Sequence, residues 1–179
     1  KNFKARVLEV FKGPNGQHIH KVKLLAGTIS IGDECELVID KDRRKKIEAN
    51  HSSVHILQYA LQQVVSDSIH QAGSYVDDER LRFDFTYTGK MTDEKLLEVE
   101  KFANDMINED IIVSTEIMPL DKAKQLGAMA LFNEKYGETV RVVKIGKSIE
   151  LCGGTHTANT KNISSLAIYS CESKGSNVY

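Results

Sequence analysis

Four residues able to bind a metal ion stand in two pairs, about a hundred positions apart, and any fold that uses them must bring a helix and a loop to one place. The first pair lies in His51-Ser52-Ser53-Val54-His55 and the second in Cys152-Gly153-Gly154-Thr155-His156. Imidazoles four residues apart stand on successive turns of a helix and can reach one ion. Thiolate and imidazole both suit Zn²⁺, and two adjacent glycines let the backbone fold tightly enough to aim both ligands at one point. The gap from residue 55 to residue 152 is too long for a zinc finger. Ser52 stands where a zinc protease would carry its general-base glutamate, which argues against that chemistry. His51, His55, Cys152 and His156 thus form a Cys-His₃ set with Zn²⁺ as the expected cofactor. Four protein ligands normally close a structural site, so a catalytic role requires one loose ligand or an expanded coordination shell.

Hydrophobic periodicity around these pairs predicts an α+β fold. Residues 3–39 read as short strands at Lys4–Val10, Val22–Leu25 and Glu36–Ile39, with turns at Gly13-Pro14-Asn15-Gly16 and Gly32-Asp33. A small β-barrel over residues 1–42 is the expected closure, followed by a second domain over residues 43–179. From Arg43 to Val65 the period becomes helical: Ile47, Val54, Leu57, Leu61, Val64 and Val65 form one stripe, with His51 and His55 on its edge. Leu81–Thr88 alternates strictly, Phe83, Phe85 and Tyr87 against Arg82, Asp84 and Thr86, as a half-buried strand does. Thr92 is placed to cap a second helix with Asp93 and Glu94 in its first turn. Strands are expected at Ile111–Ile117, Val140–Ile145, Ser148–Leu151 and Leu166–Ser170, and a third helix at Asp121–Phe132. The sheet of the second domain should be mostly antiparallel and flanked by these helices.

Charge and cysteine usage narrow the partners. A formal net charge of −1 excludes a strong, non-specific nucleic-acid binder, so any RNA contact must be local. The candidate is the run Lys41, Arg43, Arg44, Lys45 and Lys46, which opposes the dipole of the helix it precedes and so gains little structurally from its position. Three cysteines in a chain this long point to thiols in a reducing, cytoplasmic setting, with Cys35 and Cys171 expected in strands and in the core. No apolar run approaches the roughly 20 residues that cross a bilayer. The start at Lys1 and the stop at Tyr179 suggest a piece of a longer protein.

Two further stretches bear on identity: Gln71-Ala72-Gly73-Ser74 and Gly127-Ala128-Met129-Ala130-Leu131-Phe132-Asn133-Glu134-Lys135-Tyr136-Gly137. Together with HxxxH, Leu81-Arg82-Phe83-Asp84-Phe85, Val140-Arg141-Val142-Val143 and Glu150-Leu151-Cys152-Gly153-Gly154-Thr155-His156, they resemble the editing domain of alanyl-tRNA synthetases, also found as free-standing editing proteins. The resemblance covers essentially the whole chain. It implies zinc on His51, His55, Cys152 and His156, and hydrolysis of serine and glycine wrongly attached to the alanine tRNA. It also implies a partnership with the tRNA acceptor end and with the rest of a synthetase in cis, and a pocket position for Gln71. Where the family commonly has Ala-Thr after the first histidine, this chain has Ser52-Ser53. The family also continues beyond a position like Tyr179 into a further strand.

The chemistry is consistent with this resemblance. An aminoacyl ester is already activated, so its hydrolysis needs a placed water and relief of charge on the carbonyl oxygen more than a strong nucleophile. Cys152 is expected as a ligand and not as the nucleophile. Serine is larger than alanine, so a size sieve would admit both, and the pocket must read the hydroxyl. Thr155, Gln71, Arg82 and Asp84 are the candidate catalytic or pocket residues, although Arg82 and Asp84 also suit a strand-face salt bridge. The sequence carries no glycine-rich nucleotide loop, so charging of tRNA is not expected of this chain. The rival readings are a zinc-stabilised tRNA-binding module without chemistry, a free-standing editing protein, and a threonyl-type editing domain; the Cys-Gly-Gly-Thr-His string favours the alanine system over the last.

Overall fold

The structure is a computed structural model that describes residues 3–130 and 136–179. The chain divides into two units, Lys1–Ile39 and Asp40–Tyr179. In the first, β1 (Phe3–Lys12) pairs antiparallel with β2 (His18–Gly27) across the turn at Gly13–Gly16, and the register shifts twice. His18 and His20 are exposed on β2. The barrel expected for residues 1–42 is not closed among the described residues. Among the described residues Glu36–Ile39 joins no strand, and Cys35 is exposed instead of buried. Residues 40–42 belong with the following helix, because the Asp40 side chain caps it by accepting from the Arg43 amide at 3.0 Å.

That helix, α1 (Lys41–Val64), is the axis of the second unit. Its middle is buried on more sides than the apolar stripe alone predicts: Ser52, Ser53, His55 and Gln58 are buried along with Val54, Ile56, Ala60 and Leu61. Two short sheets and a second helix surround it. The hairpin β3 (His70–Val76) and β4 (Leu81–Thr86) turns Phe83 and Phe85 inward, as their alternation predicts. β3 was not apparent from the sequence, because His70-Gln71-Ala72-Gly73 lacks β-branched residues and Gly73 sits at a register break opposite Asp84. α2 (Asp93–Asn108), capped by Thr92, presents Val99, Ala103, Met106 and Ile107 to the same core.

The second sheet has the order β5 (Val113–Pro119), β6 (Thr139–Ile145), β7 (Ser148–Leu151), all antiparallel. β6 is central and buried on both faces. Val143 and Ile145 join the main core, whereas Val140 and Val142 join a smaller cluster with Met118, Ala123 and Leu151. Burying one such side chain fully contributes about 1.5–3 kcal/mol.

Two expected elements are shorter or missing. α3 spans Leu120–Gln125 and not Asp121–Phe132, because Gly127 adopts a left-handed φ of 77° that stops the helix. Beyond it, Met129 lies beside β7: its amide donates to the Ile149 carbonyl and its carbonyl accepts from Leu151, both at 2.8 Å. Leu131–Lys135, including Glu134, lie outside the described residues. Leu166–Ser170 forms no strand. The Asn104 side chain holds both the amide and the carbonyl of Leu166, and Cys171 is only partly buried. The edge of β4 is instead paired by Asn177–Tyr179, with Phe85 and Tyr179 exchanging two backbone hydrogen bonds of 3.0 Å.

Candidate metal centre

Folding brings the two sequence pairs together. One side-chain donor from each of His51, His55, Cys152 and His156 lies within 4.8 Å of the others, so the four can hold one metal ion. α1 supplies the first two, and the loop after β7 supplies the last two. Cys152 Sγ is 3.6 Å from His51 Nε2 and 3.4 Å from His156 Nε2. His55 is buried, whereas His51, Cys152 and His156 retain partial exposure, so the cluster opens on one side.

His51 and His156 are each oriented by a second group through Nδ1, as ligating histidines commonly are. His51 Nδ1 is 3.1 Å from the Thr155 carbonyl oxygen, and His156 Nδ1 is 3.1 Å from the Ser52 hydroxyl. That same hydroxyl accepts from the Thr157 amide at 3.1 Å. His55 Nδ1 lies 3.5 Å from Glu150 Oε2 but makes no hydrogen bond among the described residues. Burial lowers the pKa of all three histidines, with His156 brought down to about 3 by desolvation, then by His51 and Arg141. Neutral imidazoles with free lone pairs are the state a metal ligand requires. Burial also raises the Glu150 carboxyl to about 7, against the weaker pull of a hydrogen bond from Ser148. Burial thus disfavours the charged form of both Glu150 and His55.

The loop is shaped by Arg141 and by its glycines. Arg141 on β6 donates through one guanidinium nitrogen to the carbonyls of Cys152 at 2.8 Å and Gly154 at 2.6 Å. Gly154 lies close against the His51 ring, where any Cβ would overlap Cε1, and its amide donates to Cys152 Sγ at 3.4 Å. Gly153 has open space at the same test.

The remaining sequence candidates separate into three places. The Thr155 hydroxyl donates to Glu48 Oε1 at 2.8 Å, so it is engaged at the rim of the cluster while its carbonyl holds His51. Gln71 on β3 lines a small cavity with Gln58, Met129, Glu150 and Leu151, and its side-chain amide donates to Ser74 at 3.1 Å. Arg82 and Asp84 form a strand-face pair at 3.1 Å that Lys174 joins at 3.0 Å, and neither lines that cavity. Four residues that complete the site were not singled out from sequence: Ser52, Gln58, Arg141 and Glu150. Their signals were present as spacing. Gln58 follows His51 by seven residues on one helix, and Glu150 shares its strand face with Val143, its partner across the sheet.

The chain has relatives among known proteins. Residues 140–179, which carry β6, β7 and the Cys152–His156 loop, match the family described as the threonyl and alanyl tRNA synthetase second additional domain. The chain is 47% identical over 167 residues, 93% of its length, to an alanine-tRNA ligase of Listeria innocua. It is 47% identical over 178 residues to that of Staphylococcus saprophyticus, and 45% identical over 175 residues to that of Halalkalibacterium halodurans, covering 99% and 97% of its length. The chain spans about a fifth of the length of these curated relatives, 19% of the first and 20% of the other two. Among the described residues no helix is long and apolar enough to cross a membrane. With near-complete coverage at this identity and the matched domain at the ligand loop, the chain belongs to the alanine-tRNA ligase family, as the segment that contains the second additional domain.

Proposed function

We propose that this segment proofreads: it hydrolyses the ester of serine or glycine wrongly attached to the alanine tRNA, at a zinc ion held by His51, His55, Cys152 and His156. The observation that carries the reading is the convergence of these four donors, with second groups already in place on the His51 and His156 imidazoles. Bonds of about 2.3 Å to sulfur and 2.0–2.1 Å to nitrogen in a tetrahedron put S and N about 3.5 Å apart. The observed 3.6 and 3.4 Å agree with that spacing. When bound, such an ion acts as a Lewis acid toward a carbonyl or lowers the pKa of a water.

In the reaction, a water oxygen adds to the ester carbonyl carbon and the bond to the ribose oxygen breaks, giving the free amino acid and a tRNA with its hydroxyl restored. The chain's own residues bind and orient. Arg141 fixes the carbonyls of Cys152 and Gly154, Ser52 holds His156, and Thr155 holds His51. Lys41, Arg43, Arg44, Lys45 and Lys46 are exposed at the start of α1, suited to the RNA backbone, although Arg43 also pairs with Asp78 at 3.0 Å. The partial exposure of three ligands favours this reading over a closed structural zinc in a tRNA-binding module without turnover. The remainder of a synthetase in cis would supply charging and further tRNA contacts.

The experiment is deacylation of serine against alanine, both on the alanine tRNA, by the chain and by its Cys152→Ala, His156→Ala double variant. Selective serine release, lost in the variant, supports proofreading. A chain that binds one metal tightly and releases nothing, even at high protein concentration, is the non-catalytic module.

A further inference from the structure

Gln58 lies one turn beyond His55 on α1, and nothing in the metal cluster uses it. It is 5% exposed, and its Nε2 donates to Met129 Sδ at 3.3 Å. Its Oε1 is buried and has no hydrogen-bond partner among the described residues. The sulfur also receives Gln62 Nε2 at 3.4 Å, and Met129 is tied to β7 through its own backbone, so the wall that holds the Gln58 amide is fixed. Interiors rarely leave a side-chain amide oxygen unpaired, because desolvating it without a partner is unfavourable.

Gln58 lines a cavity of about 30 Å³ together with Gln71, Met129, Glu150 and Leu151. One water needs roughly 10–15 Å³, so the space takes a group of one or two heavy atoms and excludes a nucleobase or a ribose. Its wall is shared with the metal centre. Glu150 faces the cavity and has His55 Nδ1 at 3.5 Å, while Leu151 precedes the ligand Cys152. A carbonyl reacting at the centre carries the first carbon of its side chain two bonds away.

We propose that this cavity receives the side chain of the misattached serine and that Gln58 reads its hydroxyl, making Gln58 a specificity-determining residue; the proposal rests on the ester-hydrolase reading above. Gln58 Oε1 accepts from the hydroxyl, and because a hydroxyl donates as readily as it accepts, serine can serve either end of the amide. The methyl group of alanine fits the same space but serves neither end, so the buried oxygen stays unpaired and the correct product is rejected. Glycine places nothing in the cavity and gains nothing from Gln58.

The test measures kcat/KM for release of serine, alanine and glycine from the alanine tRNA by the unaltered chain and by Gln58→Leu and Gln58→Met. Loss of one such contact predicts a fall of about ten- to a hundred-fold for serine and none for glycine, so the serine-to-glycine ratio drops by the same factor. The serine-to-alanine ratio drops with it. Circular dichroism and zinc content are recorded for both variants, and the ratios are read from those with the helicity and metal of the unaltered chain. Equal losses on serine and glycine, or a serine-to-alanine ratio unchanged in both variants, would overturn the role of Gln58 while leaving hydrolysis intact. An unaltered chain that releases no serine sinks the hydrolase reading, and the Gln58 proposal with it.

Discussion

Gly154 and His51 are in close contact across about a hundred residues of sequence, with the glycine backbone set where a Cβ would overlap the imidazole. The ring can therefore reach Cys152 only because residue 154 has no side chain. Gly154→Ala should displace His51 and weaken zinc binding by at least about ten-fold, since misdirected or poorly oriented ligands cost that much or more. Gly153→Ala should bind zinc as the unaltered chain does, because a Cβ there meets nothing within 4 Å. Competition titration against a chromophoric chelator measures both, and equal affinities for the two variants would contradict the packing argument.

Ser52 is fully buried and its hydroxyl serves two partners, the His156 ring and the Thr157 amide. Ser52→Ala keeps the helix and the volume but strands a buried amide and a ring nitrogen. The expected cost is about 1–3 kcal/mol of stability, the usual range for a buried group left unsatisfied. Chemical denaturation of the metal-free chain is the measurement. An unchanged midpoint would mean that the hydroxyl is not what holds the loop to α1.

Glu150 is a carboxyl placed beside His55 where Ser148 holds one oxygen at 2.9 Å and leaves the other toward the imidazole. Glu150→Gln preserves shape and hydrogen bonding to Ser148 while removing the carboxylate that a bound cation would favour. Zinc affinity should fall about ten- to a hundred-fold, as for other residues that orient a ligating histidine. Retention of full affinity, read by the same titration, would assign Glu150 to the cavity alone.

The elements most legible in the sequence are those with a clean period. Phe83 and Phe85 alternate on β4, and Val99, Ala103, Met106 and Ile107 repeat at helical spacing on α2, because each element buries one face only. α1 was legible in type but not in extent of burial. It is enclosed on several sides, so Ser52, His55 and Gln58 are interior although no apolar stripe marks them. The four metal-type residues were readable as two motifs, since helix spacing and a glycine pair are local properties. Their orienting partners were not: Ser52, Glu150 and Arg141 act on residues that are close only in three dimensions. β3 and the pairing of Asn177–Tyr179 with β4 were missed for the same reason, being stabilised by register across strands and not by local propensity.

The central claim is that ester hydrolysis depends on the cation held by His51, His55, Cys152 and His156. Its most direct test is the rate of serine release from the alanine tRNA by the chain after chelation and dialysis, then during titration with Zn²⁺, with alanine release followed in parallel. Serine release should be lost on chelation and recover as one equivalent of zinc is restored, with alanine release slow throughout. Serine release that proceeds undiminished in the stripped chain, or none at any zinc loading, would contradict the claim.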